Sequence, residues 1–152
     1  MPLRVKNVTW KDAKQTLSKL REEVYVYGWR IPAEREFDQH DDQAFHILMS
    51  DDKHEPIATA RLTHEGELGR IAVKPKFRDK RVYIALSKAL LKIARQQNLQ
   101  EVVVLCDLSA VDEFKQQGFR SVGQAFMEAG IPRQKMACAV ESFSLAKVDL
   151  MH

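Results

Sequence analysis

Five cations, Lys74, Lys76, Arg78, Lys80 and Arg81, crowd the short stretch between an apolar run at Leu68 to Val73 and an amphipathic segment that starts at Val82. In that segment Val82, Leu86, Ala89, Leu90 and Ile93 recur at helical spacing, with Lys88, Lys92, Arg95 and Gln96 on the other side. A helix start presents unpaired N–H groups and a partial positive charge, so basic side chains around it make a receptor for phosphate or another anion. Asp79 stands at the N-cap position, where its carboxylate competes for the same N–H groups. A solvated basic turn is the plainer use of such a cluster. Nucleic acid is not an expected partner, because Phe77 is the single aromatic residue interleaved and the net charge is only +3. Glu34, Glu36, Asp38, Asp41 and Asp42 form an acidic run suited to a cationic amine or simply to solvent. Beside it, Tyr25, Tyr27 and Trp29 either line a pocket or bury the first helix. His46 and His64 have no partner at ligand spacing and read as structural, and no metal site is expected.

The elements that position these groups follow from periodicity. Leu3 to Val8 alternates like a strand, and Thr9 can cap a helix from about Trp10 through Val26, with Ala13, Leu17, Leu20 and Val24 on one face. Gly28 and Pro32 end it, and Ala33 to Asp42 is irregular or briefly helical. Ala44 to Met49 and Pro56 to Thr63 pair as a hairpin, and Glu65-Gly66-Glu67 turns into the central strand at Leu68 to Val73, which Pro75 ends. After the long helix, Val102 to Cys106 is a continuous apolar run that suits a strand buried on both faces. Asp107 or Ser109 can cap a short helix ending near Gly118, and Ser121 to Phe126 and Gln134 to Val140 finish the sheet. The order βαβββαβαββ defines an α+β fold with a mixed, mostly antiparallel sheet. The 152 residues, 45% hydrophobic, suit one domain spanning 1–152. Cys106 and Cys138 read as free thiols of a reducing cytoplasm, and no apolar run spans a bilayer, so no membrane association is expected. The tail from Ser142 to His152 alternates like an extra strand or a homodimer contact.

The basic segment resembles the pyrophosphate-binding loop of the GCN5-related N-acetyltransferases (GNAT), whose usual pattern is R/Q-x-x-G-x-G/A at a helix start. Arg78 matches the first position, while Arg81 and Tyr83 stand at the two glycine positions and Asp79 at a third glycine common in the family. Further matching stretches run in order: Arg21 to Val26 with Pro32, Ala58 to Leu62, Gly69 to Val73, Gly118-Phe119, and Phe126 to Ile131 with Met136. The match covers most of the chain.

The resemblance implies a GNAT-like three-layer α/β/α arrangement splayed at the central strands, with acetyl-CoA as co-substrate in the gap. It implies that the main chain of Ile71, Ala72 and Val73 holds the pantetheine, and that Arg78, Asp79, Lys80, Arg81, Val82 and Tyr83 surround the pyrophosphate. The implied activity is acyl transfer from a CoA thioester to a small-molecule or protein amine. An amine must lose a proton to attack, and Glu67 and Glu128 are the candidate bases. Many members carry a tyrosine acid where this chain has Phe114, and a histidine where it has Arg133. Phenylalanine has no proton to give, so a second implied reading is a catalytically impaired ligand-binding or interaction module on the same scaffold.

Overall fold

Thr9 starts the first helix as its residue type dictates: its hydroxyl accepts from the Asp12 N–H at 3.2 Å. In this computed structural model, which describes residues 2–26 and 28–143, strand β1 (Arg4–Val8) leads into helix α1 (Trp10–Arg21). The sequence predicts one helix through Val26. Instead the chain widens at Glu22 into a π-helical turn, Glu22–Val26, which brings both Val24 and Tyr25 inward. Such turns are rare and concentrate at functional sites. A short helix, α2 (Ala33–Glu36), follows. Tyr27, the Glu34 side chain and the tail from residue 144 onward, with its expected strand or dimer contact, lie outside the described residues.

Strands β2 (Phe45–Ser50), β3 (Pro56–Leu62) and β4 (Leu68–Val73) join β1 in an antiparallel sheet of order β1-β2-β3-β4. Helix α3 (Lys80–Gln96) crosses to a second antiparallel sheet made of β5 (Glu101–Asp107), β6 (Arg120–Glu128) and β7 (Ile131–Ala139), in the order β5-β7-β6. The two sheets touch at one parallel bridge between Glu67 and Val103, where the Val103 N–H donates to the Gly66 carbonyl at 2.9 Å. Gly66 has φ +92° there, and a Cβ would stand 3.0 Å from the Glu101 carbonyl oxygen, so glycine suits both the turn and the approach. Beyond this bridge β4 and β5 part, which is the splay expected of the central strands.

The bridged sheets have a helix on each face. Ile71 and Val73 pack with Val82, Leu86 and Leu90 of α3 in the main core, while Ala72 packs on the other face with Val24, Tyr25 and Ile31. A bulge in the β3–β4 register sets that phase. Arg70 takes φ +50°, so Leu68 and Ile71 both reach the main core although they are three residues apart. Strand β5 departs from expectation: Val102, Val104 and Cys106 are buried, and Val103 and Leu105 only half-buried. Neither Asp107 nor Ser109 caps the short helix α4 (Val111–Gln116); a 3-10 turn, Leu108–Ala110, leads into it, and the Asp107 carboxylate pairs with Arg133 instead.

Candidate active site at the gap between the sheets

Strand β4 supplies the edge of the gap. Lys74 donates its N–H to the Ile57 carbonyl on β3, and Thr59 stands opposite Ala72. Backbone direction alternates along a strand, so Ile71 and Val73 turn their N–H and C=O groups away from β3 toward the gap. Their carbonyls confirm the direction. The Ile71 oxygen accepts from the Tyr25 hydroxyl, and the Val73 oxygen accepts from Arg78 Nε at 2.9 Å. The Ile71 and Val73 N–H groups remain as donors along the gap edge, and Ala72, grouped with them in the sequence, faces β3.

At the far end of β4 a 3-10 turn, Pro75–Phe77, carries the chain to α3. Asp79 is the N-cap of that helix, and its carboxylate accepts from the Val82 N–H at 3.0 Å. Val82, counted among the phosphate-facing amides by analogy with the family, therefore gives its N–H to a neighbouring side chain. Lys80 and Arg81 occupy the first helical positions, ahead of the first intrahelical bond from Tyr83 to Asp79. Arg78, Lys80 and Arg81 are exposed, and Tyr83 is half-buried, packed against the main core. Four functions thus meet at this corner: two gap-facing amides, two early helix amides, a guanidinium anchored by its Nε, and two further cations.

Glu36, Asp38 and Asp41 of the acidic run are neither a solvated surface nor an open amine receptor, while Asp42 is exposed. Glu36 and Asp41 are buried and Asp38 is half-buried. Arg21 of α1 reaches Glu36 at 2.8 Å and Asp41 at 2.7 Å; Arg61 of β3 reaches Asp38 at 2.8 Å and Asp41 at 3.0 Å; Arg70 reaches Asp38 at 3.1 Å and the Glu36 carbonyl at 2.9 Å. Three guanidiniums and three carboxylates thus neutralise one another under α1. Burial pushes the Asp41 carboxyl up, but the hydrogen bond and charge of Arg21, with the charge of Arg61, outweigh it and hold the group below the usual carboxylate range. Burial likewise pushes Asp38 up, and Arg61 and then Arg70 bring it lower. His46 is buried with Nε2 2.8 Å from the Asp41 carbonyl, and burial lowers its pKa against that contact. His64 meets the Gln43 carbonyl at 2.7 Å, so both histidines have structural partners.

Three groups span the mouth of the gap. The Tyr25 ring meets the Trp29 ring edge-on at 5.0 Å, and the Arg133 guanidinium lies over Trp29 at 5.4 Å. Arg133, on β7 opposite Asp107 of β5 and Phe126 of β6, pairs through Nη1 with Asp107 and lies 3.7 Å through Nε from Glu128. Glu128 therefore sits at this mouth. Glu67, the other candidate base, sits at the bridged end, its N–H held by the Thr63 hydroxyl at 3.0 Å. Phe114 is buried edge-on against Phe119 at 5.2 Å and is a core residue. Burial pushes the Tyr25 phenol far up, which makes it a giver of hydrogen bonds rather than of protons. Cys106 and Cys138 are buried and unlinked, and burial pushes the Cys106 thiol up to about 11.

Arg21, Arg61, Arg70 and the Tyr25 hydroxyl are the participants that sequence reasoning missed. A signal existed: Arg61 and Arg70 lie inside apolar strand runs, and Arg21 follows Leu17 at helical spacing. A charge embedded in an apolar pattern needs an internal partner, and the acidic run is the available one.

An α+β scaffold with a splayed central pair and donors along one edge of the gap defines an acyl-CoA N-acyltransferase fold. The model of the acetyltransferase (GNAT) domain family matches residues 17–140, and the chain belongs to that family. It is 31% identical over 121 residues, 77% of this chain and 86% of the relative, to the uncharacterized N-acetyltransferase YjcF of Bacillus subtilis. Among solved structures it is similar to an acyl-CoA N-acyltransferase from Pseudomonas aeruginosa, with 25% identity, a TM-score of 0.73, and coverage of 91% of this chain and 99% of that one. Escherichia coli ElaA shares the fold at 23% identity and a TM-score of 0.71, over 89% of this chain and 99% of its own. No helix among the described residues is long and apolar enough to cross a membrane.

Proposed function

We propose that the protein transfers an acyl group, acetyl from acetyl-CoA, to an amine of a small molecule or protein. The observation that carries this reading is the edge of β4, where Ile71 and Val73 direct amide donors into a gap that no strand among the described residues fills. Pantetheine is an amide chain, and a peptide edge is its natural hydrogen-bonding partner. The diphosphate would meet Arg78, Lys80 and Arg81 and the early amides of α3. The name of the Pseudomonas neighbour, an acyl-CoA N-acyltransferase, supports the same donor class.

In the reaction the amine nitrogen bonds to the acyl carbon, the carbon–sulfur bond breaks, and the pair leaves on sulfur. Glu128, at the mouth, takes the proton that the amine must shed; Glu67, at the bridged end, is placed less directly for this work. A gap-facing β4 amide polarises the thioester oxygen. The departing thiolate is a moderate base, with a pKa of about 8.5 for an ordinary thiol, so water suffices to protonate it and the Phe114 position need not supply an acid. Positioning both reactants contributes most of the acceleration. The buried, unlinked thiols suit a reducing cytoplasm.

A second reading, binding without turnover, draws support from the Asp79 cap on the Val82 N–H. Calorimetric titration with acetyl-CoA, followed by thiol release over a panel of amines, tests both. Heat and thiol release support the transferase. Heat alone supports the binding module, and no heat with no rise in Tm at millimolar ligand removes both.

A further inference from the structure

We propose that the acceptor is an amine that carries its own carboxylate, of the amino-acid type, and that the Nε and Nη2 edge of Arg133 receives that carboxylate. Arg133 is 0% exposed. Its Nη1 is satisfied by Asp107, but Nε and Nη2 have no hydrogen-bond partner among the described residues. These two nitrogens form one complete side of the guanidinium fork, the side whose two parallel N–H groups match the two oxygens of a carboxylate. Leaving half of a buried guanidinium unmatched is costly, and proteins rarely tolerate it without a ligand or water to complete the set.

The surroundings favour an organic zwitterion over a bare anion. Trp29 covers one face of the guanidinium at 5.4 Å and offers an apolar wall for a side chain. Glu128 stands 3.7 Å from Nε, close enough for charge attraction but beyond hydrogen-bond reach. An α-amino acid whose carboxylate docks on Nε and Nη2 carries its ammonium two bonds from the carboxylate carbon, within range of Glu128, the group assigned to take the amine's proton. Asp107 and Glu128 keep 31% and 22% of their side chains exposed, and Trp29 is half-buried, so the groups that cover the fork themselves reach solvent, and a carboxylate enters when Glu128 or Trp29 moves aside. The chain of contacts from the Ile71 carbonyl through Tyr25 and Trp29 to Arg133 ties this receptor to the gap edge.

This inference rests on the acyltransferase reading for its reaction but not for its binding step, and the experiment separates the two. Free amino acids and their carboxamides are titrated, as matched pairs, into the full chain with and without CoA, and thermal shift and calorimetry read the affinity. The expected result is that at least one free acid binds ten- to a hundredfold more tightly than its carboxamide, the range that a charge-assisted fork contributes. In Arg133→Gln that preference disappears while acetyl-CoA binding persists; Arg133→Lys keeps the charge but loses the fork and retains only part of the preference. Equal affinity for every acid and amide pair overturns the proposal, as does a preference that survives unchanged in Arg133→Gln. Should that variant not fold, the wild-type comparison repeated in the presence of acetate decides: acetate must compete with the acid form, and failure to compete overturns the assignment. Absence of acetyl-CoA binding, with the acid preference intact, would sink the transferase reading alone.

Discussion

Asp79 and Tyr25 each tie up a backbone group at the gap, with opposite consequences for function. Asp79 occupies the Val82 N–H and places a negative charge where a diphosphate is expected. Asp79→Asn keeps a capping side chain of the same shape and removes the charge. Its expected effect is an acetyl-CoA affinity higher by about fivefold at low salt, corresponding to roughly 1 kcal/mol, that shrinks as salt is added. Calorimetry at two ionic strengths reads this, and unchanged affinity at both would mean that the diphosphate lies elsewhere. Tyr25 donates to the Ile71 carbonyl inside a fully buried cluster. Tyr25→Phe leaves that carbonyl unpaired in the folded protein, at a cost of about 1–3 kcal/mol in urea unfolding. The Asp79 contact was legible from residue order alone, because an aspartate directly before an amphipathic run is an N-cap signal. The Tyr25 contact was not. It depends on a π-helical turn, which leaves no periodic trace that distinguishes it from one more turn of α-helix.

The network that locks α1 and α2 onto β3 and β4 shows what element-level reading recovers and what it loses. Nearly every strand and helix was visible in its hydrophobic period, and the splay of the central strands came with the family resemblance. The acidic run was visible too, but its partners lie 15 to 34 residues away on other elements, and no local pattern pairs them. Only the anomaly of arginines within apolar runs pointed inward. Asp41 accepts from both Arg21 and Arg61, so Asp41→Ala leaves two buried guanidiniums short of a counter-charge. Removing one member of a buried pair costs about 3–5 kcal/mol, and the urea midpoint of this variant should fall accordingly. The network also sets an acid limit. Asp38 and Asp41 are lowered in the fold, and so is His46. A group with a depressed folded pKa binds fewer protons folded than unfolded, so its stabilisation is complete above the unfolded value and disappears as pH falls through the folded one. Stability should hold near neutrality, begin to decline below about pH 6.5 as His46 enters its window, and drop more steeply below about pH 4 as the carboxylates follow. A plot of Tm against pH with no fall between neutrality and pH 5 would show that His46 is not held neutral by burial.

At the scale of the whole molecule, two antiparallel sheets meet at one end and stand apart at the other. The bridge between Glu67 and Val103 is a single residue pair, next to a glycine whose backbone and whose closeness to Glu101 both resist substitution. The rest of the interface between β4 and β5 is the gap itself. A ligand lying there would act as the missing strand, and its effect should be confined to the backbone groups that face it. Ile71 and Val73 face the gap, and Ala72 faces β3, so amide hydrogen exchange distinguishes ligand binding from general stiffening. Saturating acetyl-CoA, about a hundredfold above its Kd, stabilises the folded state by roughly 2.7 kcal/mol against global unfolding and slows all core amides that exchange by that route. Ile71 and Val73 should gain protection beyond this common increment, because the ligand also closes their local opening, whereas Ala72 should gain the common increment alone. Equal protection at the three positions would mean that acetyl-CoA does not hydrogen-bond this edge. Gly66→Ala probes the other end of the same device. It strains the turn and presses on the Glu101 carbonyl, so the sheets should part further and the excess protection at Ile71 and Val73 should shrink, even in protein that remains folded.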